Sequence, residues 1–454
     1  MNNGLTRSIS FKLISFITLC ICAWAVNYYV TQHSHWMEKS REDRFRSYET
    51  NNTSVDRDHK PTQALSNDFF RKEIAVSSVL KSFRSSPKVS IGYFEGFRSY
   101  WLFERFFQKF DSQVNCTCPE SKMGLVSKEM FSKLSEIGKY DIVVFPYDVT
   151  IYSGNEARWK TIHKQYKKRQ RWVYATRETP YKVKKSFLPE TYTANTFHWS
   201  CTYRSKADIP SPYGFFRPFP APRPEMKKNW AKNKTRLIAW MSTNSAIQWN
   251  RKQLVEEMSS QIDIDIYGGP EGMPCPRNSS ECDEKIKSHK FYLAFENSCC
   301  REYISEKFWR TLTMDVVPVV IGAPKEDFLN IAPPNSFIYA DDFETMSDLI
   351  SYLQYLDKND KSYEDFFAWK VLGEVVNLFP DSAKKKVNGG KPPTGLFYSC
   401  EVACKMALKY LRERRERNQK KTFFDPRSQE WGGSCVSCAD HDWISRLQIK
   451  NDLV

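Results

Sequence analysis

Twice along this chain, apolar runs of six to eight residues alternate with longer amphipathic stretches, and a proline cluster separates the two series. The first series holds KVSIGYF (88–94), YDIVVFP (140–146) and RWVYAT (171–176), with helix-like segments such as 98–110 and 126–138 between them. The second holds TRLIAWMS (235–242), a predicted helix over 247–260, IDIDIYG (262–268), HKFYLAFE (289–296), a predicted helix over 303–314 and VVPVVIGA (316–323). Such runs, bounded by turn residues and followed by helices, are the pattern of parallel strands flanked by helices. Prolines at 210, 212, 218, 220, 222 and 224 cannot continue a helix or sit inside a sheet, so this stretch reads as a connection. Two α/β units joined by a linker predict a cleft, with chemistry at the residues directly after the strands.

Ahead of this pattern, Leu13 to Val30 is eighteen residues without a charge, preceded by Arg7 and Lys12. Its length suits a single membrane span, and the basic residues before it favour a cytosolic amino terminus. A cleaved signal peptide is the rival, because Ala23-Trp24-Ala25 has the form of a cleavage site. The bulky Trp24 and Tyr28 and the apolar continuation favour a retained signal anchor. Residues 31–86, rich in Ser, Asn, Asp and Lys, read as a stem. Either reading places the rest of the chain in the secretory pathway.

Eleven cysteines follow the apolar segment. An oxidising compartment makes disulfides the default and leaves an odd one unpaired, while Cys400-x3-Cys404 with Cys435-x2-Cys438 leaves a zinc site as the alternative. Sequons stand at Asn51, Asn52, Asn115, Asn233 and Asn278. The net charge of +15 is concentrated: Arg158 to Lys185 carries eleven basic residues and one acid, and Lys384 to Lys421 twelve and three. Such segments suit a polyanion or a phosphorylated ligand, or are solvated helices. A luminal address argues against nucleic acid. The chain has no G-x-G-x-x-G, no P-loop, no H-E-x-x-H and no G-x-S-x-G.

The densest polar constellation is HKFYLAFENSCCREYISEKFWRTL (289–312). A buried strand would end at Phe295 and release Glu296, Asn297 and Ser298. Ser305 would then cap a helix whose first turn holds Glu306 and Lys307, which reads either as a well-capped connection or as an anion site suited to a diphosphate.

FYLAFENS, EYISEKFWRTL and VVPVVIG together resemble the donor-binding signature of the α1,3-fucosyltransferases. QRWVYATRETP, TFHWSCTYRSKADIPSPYG and RLIAWMSTNSAIQWNRKQLVEEM resemble further family segments, so the likeness runs from about residue 88 to 440. The resemblance implies an inverting glycosyltransferase of GT-B architecture, two Rossmann-like domains facing a cleft. It uses GDP-fucose as donor and has no obligatory metal or cofactor, a divalent metal being at most stimulatory. It implies a cytoplasmic tail (1–12), an anchor (13–30), a stem (31–86), an acceptor-side domain (87–224) and a GDP-fucose-binding domain with a cysteine-containing extension (225–454), as a Golgi type II membrane protein. Glu178 matches the catalytic carboxylate, and Arg251 the diphosphate-binding arginine. Tyr267 lies where the guanosine side is lined, and Glu306 and Lys307 match the pair holding fucose and diphosphate. Glu296, Asn297, Ser298 and Tyr303 complete the signature.

The residue types suit that chemistry: one group accepts the acceptor hydroxyl's proton while cations stabilise the leaving diphosphate. Glu302, Ser305, Thr311 and Thr179 depart from the family's usual residues while keeping type or size. Met314-Asp315 replaces its Ala-Gly, which bears on packing. Cys300, residues 332–360 and CEVACKM (400–406) look more like members acting on the N-glycan core than like Lewis-type members acting on antennal lactosamine. A non-catalytic glycan-binding protein of the same fold would be expected to lose Glu178, Arg251 or Lys307, and all three are present.

Overall fold

In the computed structural model the described residues are 88–94, 114–118, 123–146, 156–183, 189–192, 194–224, 228–242, 249–269, 272–276, 279–378, 400–416 and 423–438. The tail, anchor, stem, Asn51, Asn52 and Asn278 lie outside them. No helix among the described residues is long and apolar enough to cross a membrane.

The first half builds a seven-stranded sheet from β1 (Val89–Phe94), β2 (Val114–Cys118), β3 (Met123–Phe131), β4 (Ile142–Pro146), β5 (Arg171–Ala175), β6 (Trp199–Thr202) and β7 (Ile209–Pro210). Its order is β2-β3-β1-β4-β5-β6-β7, parallel throughout except for the antiparallel β2/β3 pair. The helix expected over 126–138 is instead the strand β3 and a short 3-10 turn, Leu134–Lys139. Val126, Lys128 and Phe131 turn inward along it, and pairing with β1 overrides the amphipathic pattern.

The chain continues through β8 (Gly214–Pro218), β9 (Arg236–Met241), β10 (Ile264–Tyr267), β11 (His289–Phe295), β12 (Cys299–Cys300), β13 (Val317–Ile321), β14 (Ile338–Tyr339), β15 (Gly373–Asn377) and β16 (Cys435–Val436). A second, wholly parallel sheet has the order β10-β9-β11-β13-β14. Its first strand is flanked by the second and third, so the winding reverses between β9 and β11. In sheets of this kind a crevice opens at that reversal, beyond the carboxyl ends of the two strands.

The proline cluster is more than a connection. Pro210 closes the edge strand β7, and β8 pairs antiparallel with β15, its Pro218 at the strand end. Edge and end positions are where proline's missing N–H costs no ladder bond.

Four helices matter for the site: α1 (Glu156–Lys164), α2 (Arg251–Ser259), α3 (Glu306–Thr313) and α4 (Cys400–Arg415). α1 covers one face of the first sheet, burying Trp159 and Ile162 among Phe145, Trp172 and Phe197. α4, placed by the sequence with the second half, covers the other face of the first sheet instead. Its Val402, Met406, Ala407 and Tyr410 pack against Ile91, Tyr93, Val144 and Val173. Two disulfides, Cys116–Cys400 and Cys118–Cys404, hold it there. Residues two apart on a strand and four apart on a helix each share a face, so the two cysteine pairs meet in register.

All four carboxyl-terminal cysteines are in disulfides, the other two being Cys299–Cys438 and Cys300–Cys435, which leaves no thiolates for zinc. Cys275–Cys282 is the fifth bridge, and buried Cys201 is the unpaired one. Asn115 lies exposed on β2, and Asn233 is exposed in a turn at φ +71°.

Candidate active site

Glu296 is the organising residue. It follows the fully buried β11 and is 1% exposed. Its Oε1 accepts the Ser305 N–H at 2.7 Å and its Oε2 accepts the Ser305 hydroxyl at 2.8 Å and the Lys307 ammonium at 3.1 Å. Ser305 was expected to cap α3 with its side chain, but that hydroxyl makes no cap bond. The hydroxyl instead donates to the Glu296 carboxylate and accepts from the Lys307 ammonium, charge-assisted bonds that are stronger than a neutral cap bond. Lys307 also reaches the Ser305 hydroxyl at 2.8 Å and the Glu306 carboxylate at 3.7 Å. Burial works against its charge, but Glu296 and Glu306 outweigh that and raise its pKa above the ordinary lysine value.

Arg251 opens α2, where Asn250 caps the helix by accepting the Gln253 N–H. Its guanidinium is buried and donates to the Phe295 carbonyl at 2.9 Å and the Ser242 hydroxyl at 3.4 Å. Those partners end β11 and follow β9, so the cation sits at the winding reversal. Burial lowers its pKa, with Glu296 opposing. Trp249 donates its indole N–H to the Glu296 carbonyl at 3.0 Å. The two residues thus hold successive carbonyls of the segment that presents Glu296. Trp249 was missed in sequence, where an indole near a helix start carries no signal. Asn297 is half-buried in the bend after Glu296.

Glu178 comes from the other half, three residues beyond β5. Its carboxylate is a quarter exposed and ion-paired with Lys182 at 2.8 Å. Thr179, next to it, brings its hydroxyl within 3.3 Å of the buried Ser298 hydroxyl across the junction of the halves. Tyr303 packs against Tyr203, with ring centroids 5.2 Å apart, and edge-on to Tyr213 at 6.0 Å. Burial drives the Tyr213 and Tyr303 phenols far up, and Glu178, Glu296 and Glu306 push both further in the same direction. Carboxylates of both halves therefore surround one tyrosine pair. The Tyr213 hydroxyl donates to the Arg177 carbonyl at 2.8 Å, fixing the backbone just before Glu178. Arg177 itself lies buried 5.0 Å from the Tyr213 ring, its pKa lowered to about 10 by burial.

Tyr267 ends the edge strand β10, buried with its ring edge-on to His289 at 5.9 Å. It stands one strand beyond the reversal, apart from the polar cluster. The structure thus brings Glu178, Ser298, Tyr303, Glu306, Lys307, Glu296 and Arg251 to one junction. The Thr179–Ser298 contact joins the segment that carries Glu178 to the one that carries Glu296 and Lys307, an arrangement able to pair proton acceptance with anion stabilisation.

Two family models match this chain: "Fucosyltransferase, N-terminal" over residues 99–214 and "Glycosyltransferase family 10 (fucosyltransferase) C-term" over residues 231–422. The Drosophila melanogaster glycoprotein 3-alpha-L-fucosyltransferase A is 35% identical over 207 residues, 44% of this chain and 40% of that protein. The Rattus norvegicus alpha-(1,3)-fucosyltransferase 7 is 31% identical over 261 residues, 56% of this chain and 64% of that protein. The matched stretches thus span less than two thirds of either relative. A solved alpha1,3-fucosyltransferase structure matches at 15% identity and TM-score 0.46, over 78% of this chain and 97% of that one. The two models cover both halves and take in every residue of the junction, and by them the chain belongs to the glycosyltransferase family 10 fucosyltransferases.

Proposed function

We propose that this chain is an inverting glycosyltransferase of GT-B architecture that moves fucose from GDP-fucose, in α1,3 linkage, to a GlcNAc of a glycoprotein glycan, the N-glycan core being the favoured acceptor. The observation that carries this reading is the 3.3 Å contact between Thr179, the neighbour of Glu178, and Ser298, which lies on the segment of the other half that holds Glu296 and Lys307. Glu178 takes the acceptor hydroxyl's proton as that oxygen attacks the anomeric carbon from the side opposite the departing GDP. Lys307 and Arg251 stabilise the charge gathering on the leaving diphosphate. Glu296 holds Lys307 in place, and Tyr267 belongs to the guanosine side. Protein cations fill the electrostatic role, so transfer is expected to persist in chelator, a divalent metal being at most stimulatory. The Drosophila relative, named as a glycoprotein 3-alpha-L-fucosyltransferase, supports a glycoprotein acceptor. The same reading makes the chain a Golgi type II membrane protein anchored by residues 13–30, with a luminal catalytic part, partnered by its glycan acceptor and not by nucleic acid.

The test is incubation of the purified protein with GDP-fucose and a panel of N-glycan and lactosamine acceptors, with and without chelator, and location of the fucose by mass spectrometry. Fucose on a core GlcNAc is the expected outcome. Transfer to antennal lactosamine alone overturns the acceptor assignment, and no transfer to any acceptor overturns the activity.

A further inference from the structure

The two basic segments of the sequence are not absorbed by the junction of the halves, yet the fold brings them together elsewhere. Lys164 ends α1, and Lys167, Lys168 and Arg169 form the turn before β5, all four exposed. Arg171, the first residue of β5, pairs with Glu413 of α4 at 2.6 Å. Glu413 also accepts the Trp199 indole N–H at 2.8 Å, and Lys409 approaches it at 3.7 Å. This acid joins the last turn of α4, which also carries Arg412 and Arg414, to the start of β5, two residues after the lysine turn.

Both contributions are held rigidly. The side chain of buried Gln170 accepts the Lys167 N–H at 3.0 Å and donates to the Ile137 and Tyr140 carbonyls at 2.6 and 2.8 Å. The α4 end is fixed by the Tyr410 hydroxyl donating to Asp141 at 3.0 Å. Among the described residues, Lys164, Lys167, Lys168, Arg169, Arg412 and Arg414 enter no ion pair, and Arg414 lies over the Tyr410 ring. Glu416, exposed at the helix end, is the acid that remains nearby.

This surface is separate from the junction. Arg171 begins β5 and Glu178 follows its far end, so the length of the strand, about 13 Å, separates the two ends. On the proposed function, the donor diphosphate is held at the junction and not here.

We propose that this face is a docking surface for a linear sulfated glycan. It is an array of long, hydrated cations on a turn and a helix end, which reads charge density rather than shape and suits an extended polyanion more than a small phosphate, which needs a cradle. Five disulfides place the fold in an oxidising compartment, away from nucleic acid. Anionic lipids concentrate on cytoplasmic leaflets, which disfavours a bilayer as the ligand.

The test uses the full chain in detergent with a heparin dodecasaccharide, its affinity measured by calorimetry at two salt concentrations. Binding is expected to weaken steeply with salt, as release of condensed counterions requires. Lys167→Gln/Lys168→Gln/Arg169→Gln and Arg412→Gln/Arg414→Gln should each lower heparin affinity about tenfold or more, with GDP affinity unchanged. Four of the five positions are exposed and Arg412 is half-buried, and an unaltered melting temperature confirms that each variant is folded. Heparin affinity within twofold of the parent in both variants overturns the surface, and loss in one variant alone overturns its composite nature. Equal or tighter binding of polyglutamate or of phosphatidylserine vesicles overturns the sulfated-glycan assignment in favour of an acidic protein or a membrane.

Discussion

Gly322 shows how closely Glu296 is fitted. Its φ is +152°, and a β-carbon there would come within 2.7 Å of Glu296 Cβ and 2.8 Å of its Cγ. Gly322→Ala is therefore expected to displace Glu296, and with it Lys307, at a cost of about 1–3 kcal/mol from strain and overpacking. Denaturant titration reads the loss, and an unchanged midpoint would show that Glu296 has room to move. On the proposed function, Glu178 and Lys307 carry separable roles. Glu178→Gln keeps shape but accepts no proton, so turnover should fall roughly 10²-fold with GDP affinity retained. Lys307→Ala and Arg251→Ala should weaken GDP binding itself, as calorimetry would register. A Glu178→Gln protein whose main defect is lost GDP binding would place the base elsewhere.

At the scale of elements, α4 carries the clearest test. The bridge Cys118–Cys404 closes a span of 286 residues. Its removal in Cys118→Ser/Cys404→Ser should cost about 2–4 kcal/mol by releasing the unfolded chain, with the neighbouring Cys116–Cys400 limiting the loss. Equal stability of variant and parent would mean that apolar packing alone seats the helix. The expected strands 88–94, 140–146, 171–176, 235–242, 262–268, 289–296 and 316–323 all contain strands of the fold: the central ones are buried on both faces and so apolar along their length, and the edge strand β10 shows as an alternation of Ile and Asp. β3 was hidden, since Lys128 and Glu129 interrupt its apolar pattern and only pairing with β1 reveals it. The seat of α4 was equally unreadable: its apolar stripe states that it packs, not on which sheet. In the site, Glu296 through Lys307 were legible because one continuous segment holds them. Trp249, Arg177 and Tyr213 act through backbone carbonyls and ring contacts, which leave no trace in residue order. The ring of Trp309 on α3 fits against Gly214, where a β-carbon would come within 2.5 Å.

For the molecule as a whole, two buried lysines set an expected pH response. Burial lowers both Lys128 and Lys234 to about 8, with Asp315 partly opposing for the second. The unfolded chain keeps those protons to an ordinary lysine value of about 10.4. Between pH 8 and 10 the unfolded state thus binds more protons, and stability should rise with pH. Above that window the sign reverses, because burial raises phenols such as Tyr93 and Tyr174, which keep their protons longer when folded. Melting temperatures across pH 7.5 to 11 should pass through a maximum, and Lys128→Met should flatten the rising limb. A monotonic fall from pH 8 would show that both lysines stay charged in the native state.

The bridges between β2 and α4 also impose a timetable on the making of this protein. On the proposed secretory address, Cys116 and Cys118 reach the oxidising compartment long before their partners, which lie 284 and 286 residues further along. At a synthesis rate of about 5–20 residues per second, they wait roughly 15–60 s as free thiols. During that interval Cys201, Cys275, Cys282, Cys299 and Cys300 emerge as wrong partners. The first sheet can pair its strands early, but covalent closure of its α4 face waits until nearly the whole chain has been made. Yield in cells should therefore depend on the supply of disulfide isomerase far more than the stability of the finished protein does.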